Sequence, residues 1–475
     1  MFLVSLIAGN PLNHSRGFRL RRLFNWLPLG LTYAFLYMGR YNLTVSKNAL
    51  GTLMPKEDFG IIFAAGTVTY AFSCLFNGPL TDKIGGKKAI IIGAVGSALM
   101  NALMGLLTYF VLVKGMFAGN ILFLFSLFYS INMYFQSYGA IAIVKVNANW
   151  FHVRERGSFG GIFGALIAMG IYFAFDWGAF IVEATKANIT DELGFFQSML
   201  RIALISDDHP AVDQTWWVFL IPCLILLIFV VLDILLLKDR PDQAGFKAFD
   251  AQDASSGEDE TPIPLFDLLK RILTNRVILV IGAIQFCSGV LRNGIMHWYP
   301  IYLNEMGVPK DFLFKQHWGI ILALAGIFGG VLAGLISDKI FGSRRGPVAA
   351  LLYAVMGISI LMMVFSLKDY FMLGVIVSVL SVAVIGIHGI LAGTATMDFG
   401  GRKAAGTAVG IIDGFVYLGT GLQSISLGYI TTTNWNYWPI FLMPFSLLGF
   451  FLALKIWQAL PQPAKRPVSC AKAEA

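Results

Sequence analysis

The chain has 475 residues, of which 57% are hydrophobic and only 13% charged, with a formal net charge of +8 and a mean hydropathy of +0.72. Soluble domains carry roughly 25% charged residues, so the composition excludes a soluble globular protein and indicates an all-α, polytopic membrane protein. The positive balance is assigned to loop residues that fix topology, and nucleic acid is not an expected partner.

Apolar runs of about 20 residues fall at 25–47, 59–80, 88–113, 119–148, 157–181 and 214–237. Six more fall at 277–303, 316–338, 347–367, 371–396, 405–430 and 437–459. Twelve transmembrane helices follow, in an N-terminal six-helix half (1–238), a linker (239–275) and a C-terminal six-helix half with a short tail (276–475). From Asp239 the linker reads DRPDQAGFKAFDAQDASSGEDETPIP, polar, acidic and turn-rich, the composition of a flexible segment. Arginines follow the apolar patch at 1–13 without a small-residue cleavage site, so span one reads as an uncleaved start-transfer helix.

Lysine and arginine cluster in the loops of one side, as at Lys83, Lys87 and Lys88 or Arg344 and Arg345. The opposite loops hold them singly, as at Lys56, Lys114 and Lys310. By the positive-inside rule both termini are cytoplasmic, in a cell inner or plasma membrane. The longest outer loop, 183–213, has no functional reading. Cys74, Cys223, Cys287 and Cys470 show no CxxC or paired spacing, so neither disulfide nor metal is expected.

The halves repeat. GPLTDKIGGKK (Gly78–Lys88) returns as GLISDKIFGSRR (Gly334–Arg345), with Asp82 and Asp338 256 residues apart (338 − 82). RERG (Arg154–Gly157) returns as RKAAG (Arg402–Gly406), with the glycines 249 apart (406 − 157). Arg40 and Arg292, each deep in an apolar run, stand 252 apart (292 − 40). A charge at that depth costs about 2.5–3.5 kcal/mol on insertion scales, so both must face protein, water or a ligand. A phosphate monoester carries about −1.5 to −2 charges, which two forked guanidinium groups match in charge and geometry. The bland alternative is that each arginine satisfies a carboxylate or backbone carbonyls within its own half.

Tyr33, Tyr37, Arg40 and Tyr41 share one face of span one and read as a cavity wall. Tyr33 and Tyr37 are candidate donors to phosphate or sugar hydroxyls, or else packing tyrosines. Tyr70 shares a face of span two with Asn77. Lys145 and Asn149 lie one turn apart in span four, and the lysine either adds a third cavity charge or snorkels to the cytoplasmic edge. His388 and the Asp413/Tyr417 pair are polar exceptions on apolar helices. Asp413 reads as a counter-ion, a hydroxyl acceptor or a proton carrier, or as a packing hydrogen bond. Asp82 and Asp338 read as gating residues of the cytoplasmic loops. Gly160, Gly161 and Gly164 suggest close helix approach along span five.

GPLTDKIGGKK resembles the signature cytoplasmic loop of the major facilitator superfamily. LRNGIMHWYPIYL around Arg292, NWFHVRERG (Asn149–Gly157) and KAAGTAVGIIDGFVYLGTG (Lys403–Gly421) resemble the organophosphate:phosphate antiporter family over nearly the whole chain. That family includes glycerol-3-phosphate, hexose-6-phosphate and phosphoglycerate carriers. The resemblance implies the major facilitator fold and exchange of an organic phosphate for inorganic phosphate, with Arg40 and Arg292 at the family's phosphate-binding positions. It also shows departures. Tyr41 stands where the glycerol-phosphate carriers have a lysine, and His297 where they have an aspartate, as if a charged outer-gate pair had been exchanged. Cys74 replaces a cavity lysine and Asn149 a histidine.

Rocker-switch antiport by a monomer, without cofactor, is the expected mechanism. Its rivals are proton-coupled anion symport through Asp413 or His388 and a membrane sugar-phosphate receptor. No GxxxxGK[ST], nucleophile elbow or zinc spacing supports an enzyme.

Overall fold

A computed structural model of the chain describes residues 13–152, 156–189, 192–205, 210–247, 270, 274, 276–341 and 344–458. The N-terminal set of long helices is α1 (Arg16–Leu50), α2 (Lys56–Ile84), α3 (Gly86–Lys114), α4 (Ile121–Trp150), α5 (Arg156–Tyr172 continuing to Ala184) and α7 (Trp217–Leu236). A short surface helix, α6 (Phe195–Leu204), precedes α7. The C-terminal set is α8 (Arg276–Glu305), α9 (Trp318–Leu335), α10 (Arg345–Ser366), α11 (Tyr370–His388), α12 (Ala395–Thr433) and α13 (Tyr437–Lys455). Among the described residues, ten helices are long and apolar enough to cross a membrane. The expected spans one and eleven correspond to α1 and α12, which are longer, at 35 and 39 residues, and carry more polar residues than that measure allows.

Local chemistry sets the helix ends. Ser15 Oγ accepts the N–H of Phe18 (3.2 Å) and caps α1. Gly85, with φ +89°, divides α2 from α3 inside the GPLTDKIGGKK loop, a backbone setting that glycine takes without steric cost. The end of α1 meets the start of α2 on one face of the bundle, called here the far face. The beginning of α1, the α2–α3 turn and the ends of α4 and α7 lie on the near face.

Glycine decides where helices touch. A Cβ on Gly289 would lie 2.0 Å from the Val416 carbonyl oxygen, and one on Gly419 2.1 Å from that of Phe286. Helices α8 and α12 therefore pack backbone to backbone, where small residues substitute for a hydrophobic driving force that lipid does not supply. The seam between the two sets, α2 against α12, is built the same way. A Cβ on Gly60 would lie 2.4 Å from Ser424 O, and one on Gly428 3.0 Å from Lys56 O. In α5 the close contact falls outside the glycines the sequence singled out. Gly164 faces open space, and close approach occurs instead at Gly170, whose Cβ would lie 2.7 Å from Ala34 O. Gly160 and Gly161 have side-chain surroundings outside the described residues.

The segment expected to be a flexible linker begins as an ordered strap. Lys238 N–H donates to Asn25 Oδ1 (2.7 Å) and Trp150 Nε1 to Lys238 O (2.9 Å). Asp239 Oδ1 accepts the N–H of Lys87 (2.8 Å) at the start of α3, placing a carboxylate where that helix leaves its N–H groups unpaired. Phe246 packs edge-on to Phe18 at 5.5 Å. Composition marked this stretch as polar, but its partners lie on other helices. Residues 248–269 of the linker are outside the described residues.

Gly289→Leu is expected to destabilise the protein by about 3 kcal/mol, because overpacking a backbone contact forces the helices apart. The check is the thermal midpoint in detergent, where an unchanged midpoint would contradict the α8–α12 contact.

Candidate anion site between the two helix sets

Arg40 is fully buried on α1. Its Nε and Nη2 donate to Gln136 Oε1 on α4 (3.4 and 3.2 Å), and its Nη1 donates to the Tyr417 hydroxyl on α12. Gln136 is itself held by donation from Nε2 to Leu36 O (2.8 Å). The guanidinium carbon lies 4.7 Å from the Tyr37 ring centre and 4.8 Å from that of Tyr70, within cation–π range. The Tyr70 and Tyr417 rings are 4.0 Å apart, centre to centre. Tyr129 donates from its hydroxyl to Arg40 O (3.2 Å). The arginine is therefore oriented by neutral groups, with three of its five N–H donors engaged.

Arg292 on α8 completes the arrangement. Its electrostatic neighbours are Tyr41, Tyr417, Tyr37 and Asp413, and the three tyrosines are shared with Arg40. Its Nε is buried without a hydrogen-bond partner. Among the described residues neither arginine has a carboxylate within ion-pair distance. Asp413 acts on both arginines electrostatically, yet its Oδ1 has no hydrogen-bond partner. Arg40 is held within its own half by the side-chain amide of Gln136 rather than by a carboxylate, and it reaches the other half through Tyr417. The two cations, one from each set, share Tyr37, Tyr41 and Tyr417 as electrostatic neighbours.

The other candidates divide by position. Tyr33 is buried and packs edge-on to Tyr37 at 5.1 Å. His388 is half-buried, faces Arg292 and has an unpartnered Nδ1. Tyr41 meets His297 ring to ring at 4.9 Å, and Thr44 Oγ1 lies 2.7 Å from His297 Nδ1. The contact joins α1 to α8 on the far side of the arginines. Lys145 and Asn149 are elsewhere. Lys145 Nζ pairs with Asp82 Oδ1 at 2.6 Å, with both side chains partly exposed, and Asn149 Nδ2 donates to Asp239 O (3.1 Å). Both belong to the near-face ends of α2, α4 and the strap, because snorkelling toward a partner at the boundary costs less than a third cation beside Arg40. Asp338 lies in a π-turn, Ile336–Ile340, that extends α9. Its side chain is outside the described residues.

Sequence reasoning missed Gln136, Tyr129, Thr44 and Asp176. The first two had a signal. Tyr129, Asn132 and Gln136 recur at i, i+3 and i+7 on α4, and Asn132 Nδ2 also donates to Gly39 O (3.0 Å). Asp176 sits in a π-turn of α5, Phe173–Trp177, and accepts the N–H groups of Gly319 (2.7 Å) and Ile320 (3.0 Å) in the first turn of α9. A lone aspartate in an apolar run carries no mark of a partner 143 residues away. Farther out, Lys56 Nζ pairs with Glu305 (2.9 Å) and donates to Thr431 O (2.9 Å).

Residues 29–424 match the Major Facilitator Superfamily profile. The chain is 25% identical to the "Probable hexose phosphate transport protein" of Chlamydia trachomatis serovar D, over 94% of this chain and 92% of that one. It is 26% identical to the "Glycerol-3-phosphate transporter" of Bacillus subtilis (strain 168), over 91% and 92%. Among solved structures, a bacterial homolog of the human lysosomal transporter Spinster superposes with a TM-score of 0.67 at 14% identity, over 94% of this chain and 98% of that one.

Because the Lys145–Asp82 pair is partly exposed, Lys145→Met should lower stability by no more than about 1 kcal/mol. The check is the thermal midpoint in detergent, and a much larger loss would place Lys145 in a buried network instead. With that fold, those motifs and these relatives, the chain is an integral, multi-pass membrane transporter of the major facilitator superfamily, and not an enzyme.

Proposed function

We propose that this protein exchanges an organic phosphate ester for inorganic phosphate by alternating access, with Arg40 and Arg292 clamping the phosphoryl group. The observation that carries the proposal is the pair of guanidinium groups, one from each helix set, without a carboxylate partner and sharing Tyr37, Tyr41 and Tyr417 as neighbours. A dianionic phosphate supplies the missing charge, and forked N–H pairs suit its tetrahedral oxygens. The names of the two relatives, a hexose phosphate and a glycerol-3-phosphate transporter, agree with a sugar-phosphate or glycerol-phosphate type of cargo.

The mechanism follows from electrostatics. Closing the bundle over two bare cations buries like charges in a low dielectric, where their repulsion is poorly screened. A bound anion removes that repulsion in both directions, so the return stroke also needs an anion and exchange results. Residues 1–238 and 276–475 act as the two moving halves, joined by 239–275. In the described state the sets are cinched beyond the arginines by Thr44–His297, Asp176–Gly319 and Lys56–Glu305, which supports a site reached from the near face. By the positive-inside rule that face is cytoplasmic and holds both termini, in a cell inner or plasma membrane. One chain carries both arginines, so a monomer suffices. The second reading is proton-coupled symport, favoured by the unpartnered Oδ1 of Asp413 beside both arginines.

In proteoliposomes loaded with phosphate, external labelled phosphate should enter by counterflow, and one ester among glycerol-3-phosphate, 3-phosphoglycerate, phosphoenolpyruvate and glucose-6-phosphate should suppress it. Uptake that needs only a proton gradient would establish symport instead, and binding without counterflow would establish a receptor. Arg40→Lys keeps the charge and loses the fork. Counterflow should fall by about 10- to 100-fold, the equivalent of one or two charge-assisted hydrogen bonds. Asp176→Ala removes an acceptor of two N–H groups between the sets. Labelling of Thr67→Cys, in the α2–α12 seam, by an impermeant maleimide added at the far face should rise by about tenfold or more.

A further inference from the structure

The surface helix α6, Phe195–Leu204, belongs to the far-face loop for which the sequence offered no reading. Its two sides differ. Phe195, Met199 and Ile202 recur at i, i+4 and i+7 with Phe196 beside them, and these four are 75%, 55%, 83% and 70% exposed in that order. The other side is tethered to the bundle: Leu200 packs against the core, and Gln197 and Arg201 are bonded to the end of α5 and the loop after it. Gln197 Nε2 donates to Glu183 Oε2 (2.8 Å), and Arg201 Nη1 donates to the carbonyl oxygens of Ala184 (3.2 Å) and Lys186 (2.9 Å).

Those three bonds set the height of the helix. Ala184 is the last residue of the span Gly164–Ala184, so a helix bonded to its carbonyl lies where that span leaves the hydrocarbon. Helix α5 already presents Trp177, 37% exposed, on its surface near this end, the amphipathic residue type found at such boundaries. The exposed apolar side of α6 thus stands at the level where the span ends.

We infer that α6 is an interfacial helix, lying in the far-face leaflet with Phe195, Phe196, Met199 and Ile202 among lipid headgroups and upper acyl chains. The occupant of its exposed apolar side is lipid, because the tethers hold it at the bilayer boundary and Phe195, Phe196, Met199 and Ile202 point away from the bundle. The helix fixes the depth of the far end of α5, the element that carries Asp176 to α9.

The test uses the full chain with Cys470→Ser, leaving Cys74, Cys223 and Cys287, which are buried. A cysteine at Ile202, and separately at Phe196, carries an environment-sensitive fluorophore in phosphatidylcholine vesicles. Nitroxide-bearing lipids should quench both labels by about twofold or more, as for a group 5–10 Å into the interface, and aqueous iodide should quench them weakly. Strong iodide quenching at Ile202 without lipid quenching would mean that the face is in water. Absence of both would mean that protein covers it. Either result overturns the inference.

Discussion

Everything in this bundle is arranged around two guanidinium groups held inside a membrane, with no carboxylate at ion-pair distance among the described residues. The cost of one such charge is severe enough that its surroundings must answer for it. Around Arg40 the answer is a set of neutral dipoles and ring faces: Gln136 and Tyr417 accept, and Tyr37 and Tyr70 flank the cation. These groups stabilise the charge without cancelling it. A carboxylate partner would make the arginine comfortable and useless for an anion. Tyrosines and an amide leave a positive potential and free N–H donors.

The contacts that join the two helix sets are graded with depth. At the arginines they are hydrogen bonds of the site itself. One step outward Tyr41 and Thr44 meet His297, then Asp176 caps α9, and finally Lys56 pairs with Glu305 over the closed end. Most of these involve one polar group against a neutral or backbone partner, so each is modest in net terms, about 0.5–1.5 kcal/mol for a typical bond and more where a charge takes part. A closure assembled from several modest contacts, laid over glycine-to-backbone packing at Gly60 and Gly428, can open without one prohibitive step. This property suits the proposed alternating access. It differs from the buried packing of α8 on α12, where Gly289 and Gly419 leave no slack.

The near face follows another logic. Asp239, Trp150, Asn25 and Lys87 bind the start of the interhelical segment to the N-terminal set, and Lys145 pairs with Asp82 close by. The polar residues of this region satisfy helix ends and one another at the membrane boundary. That is why Lys145 and Asn149, which look like cavity residues along the chain, take no part in the cluster around the arginines.

Composition and periodicity alone determined the class and the approximate limits of the long helices, and they singled out the two arginines and the Tyr33–Tyr37–Tyr41 face. Each of these is a property of one helix or of a spacing along the chain, where the 3.6-residue period and the expense of an intramembrane charge leave few solutions. Tertiary structure decided the partners. That Gln136 rather than an acid orients Arg40, that Gly170 rather than Gly164 meets α1, that Asp176 caps a helix 143 residues away, and that Asp239 straps the linker to α3 all depend on which helix faces lie opposite. Hydrogen bonds and backbone contact act over a few ångströms in space, and the chain's order records no such distance between separate helices.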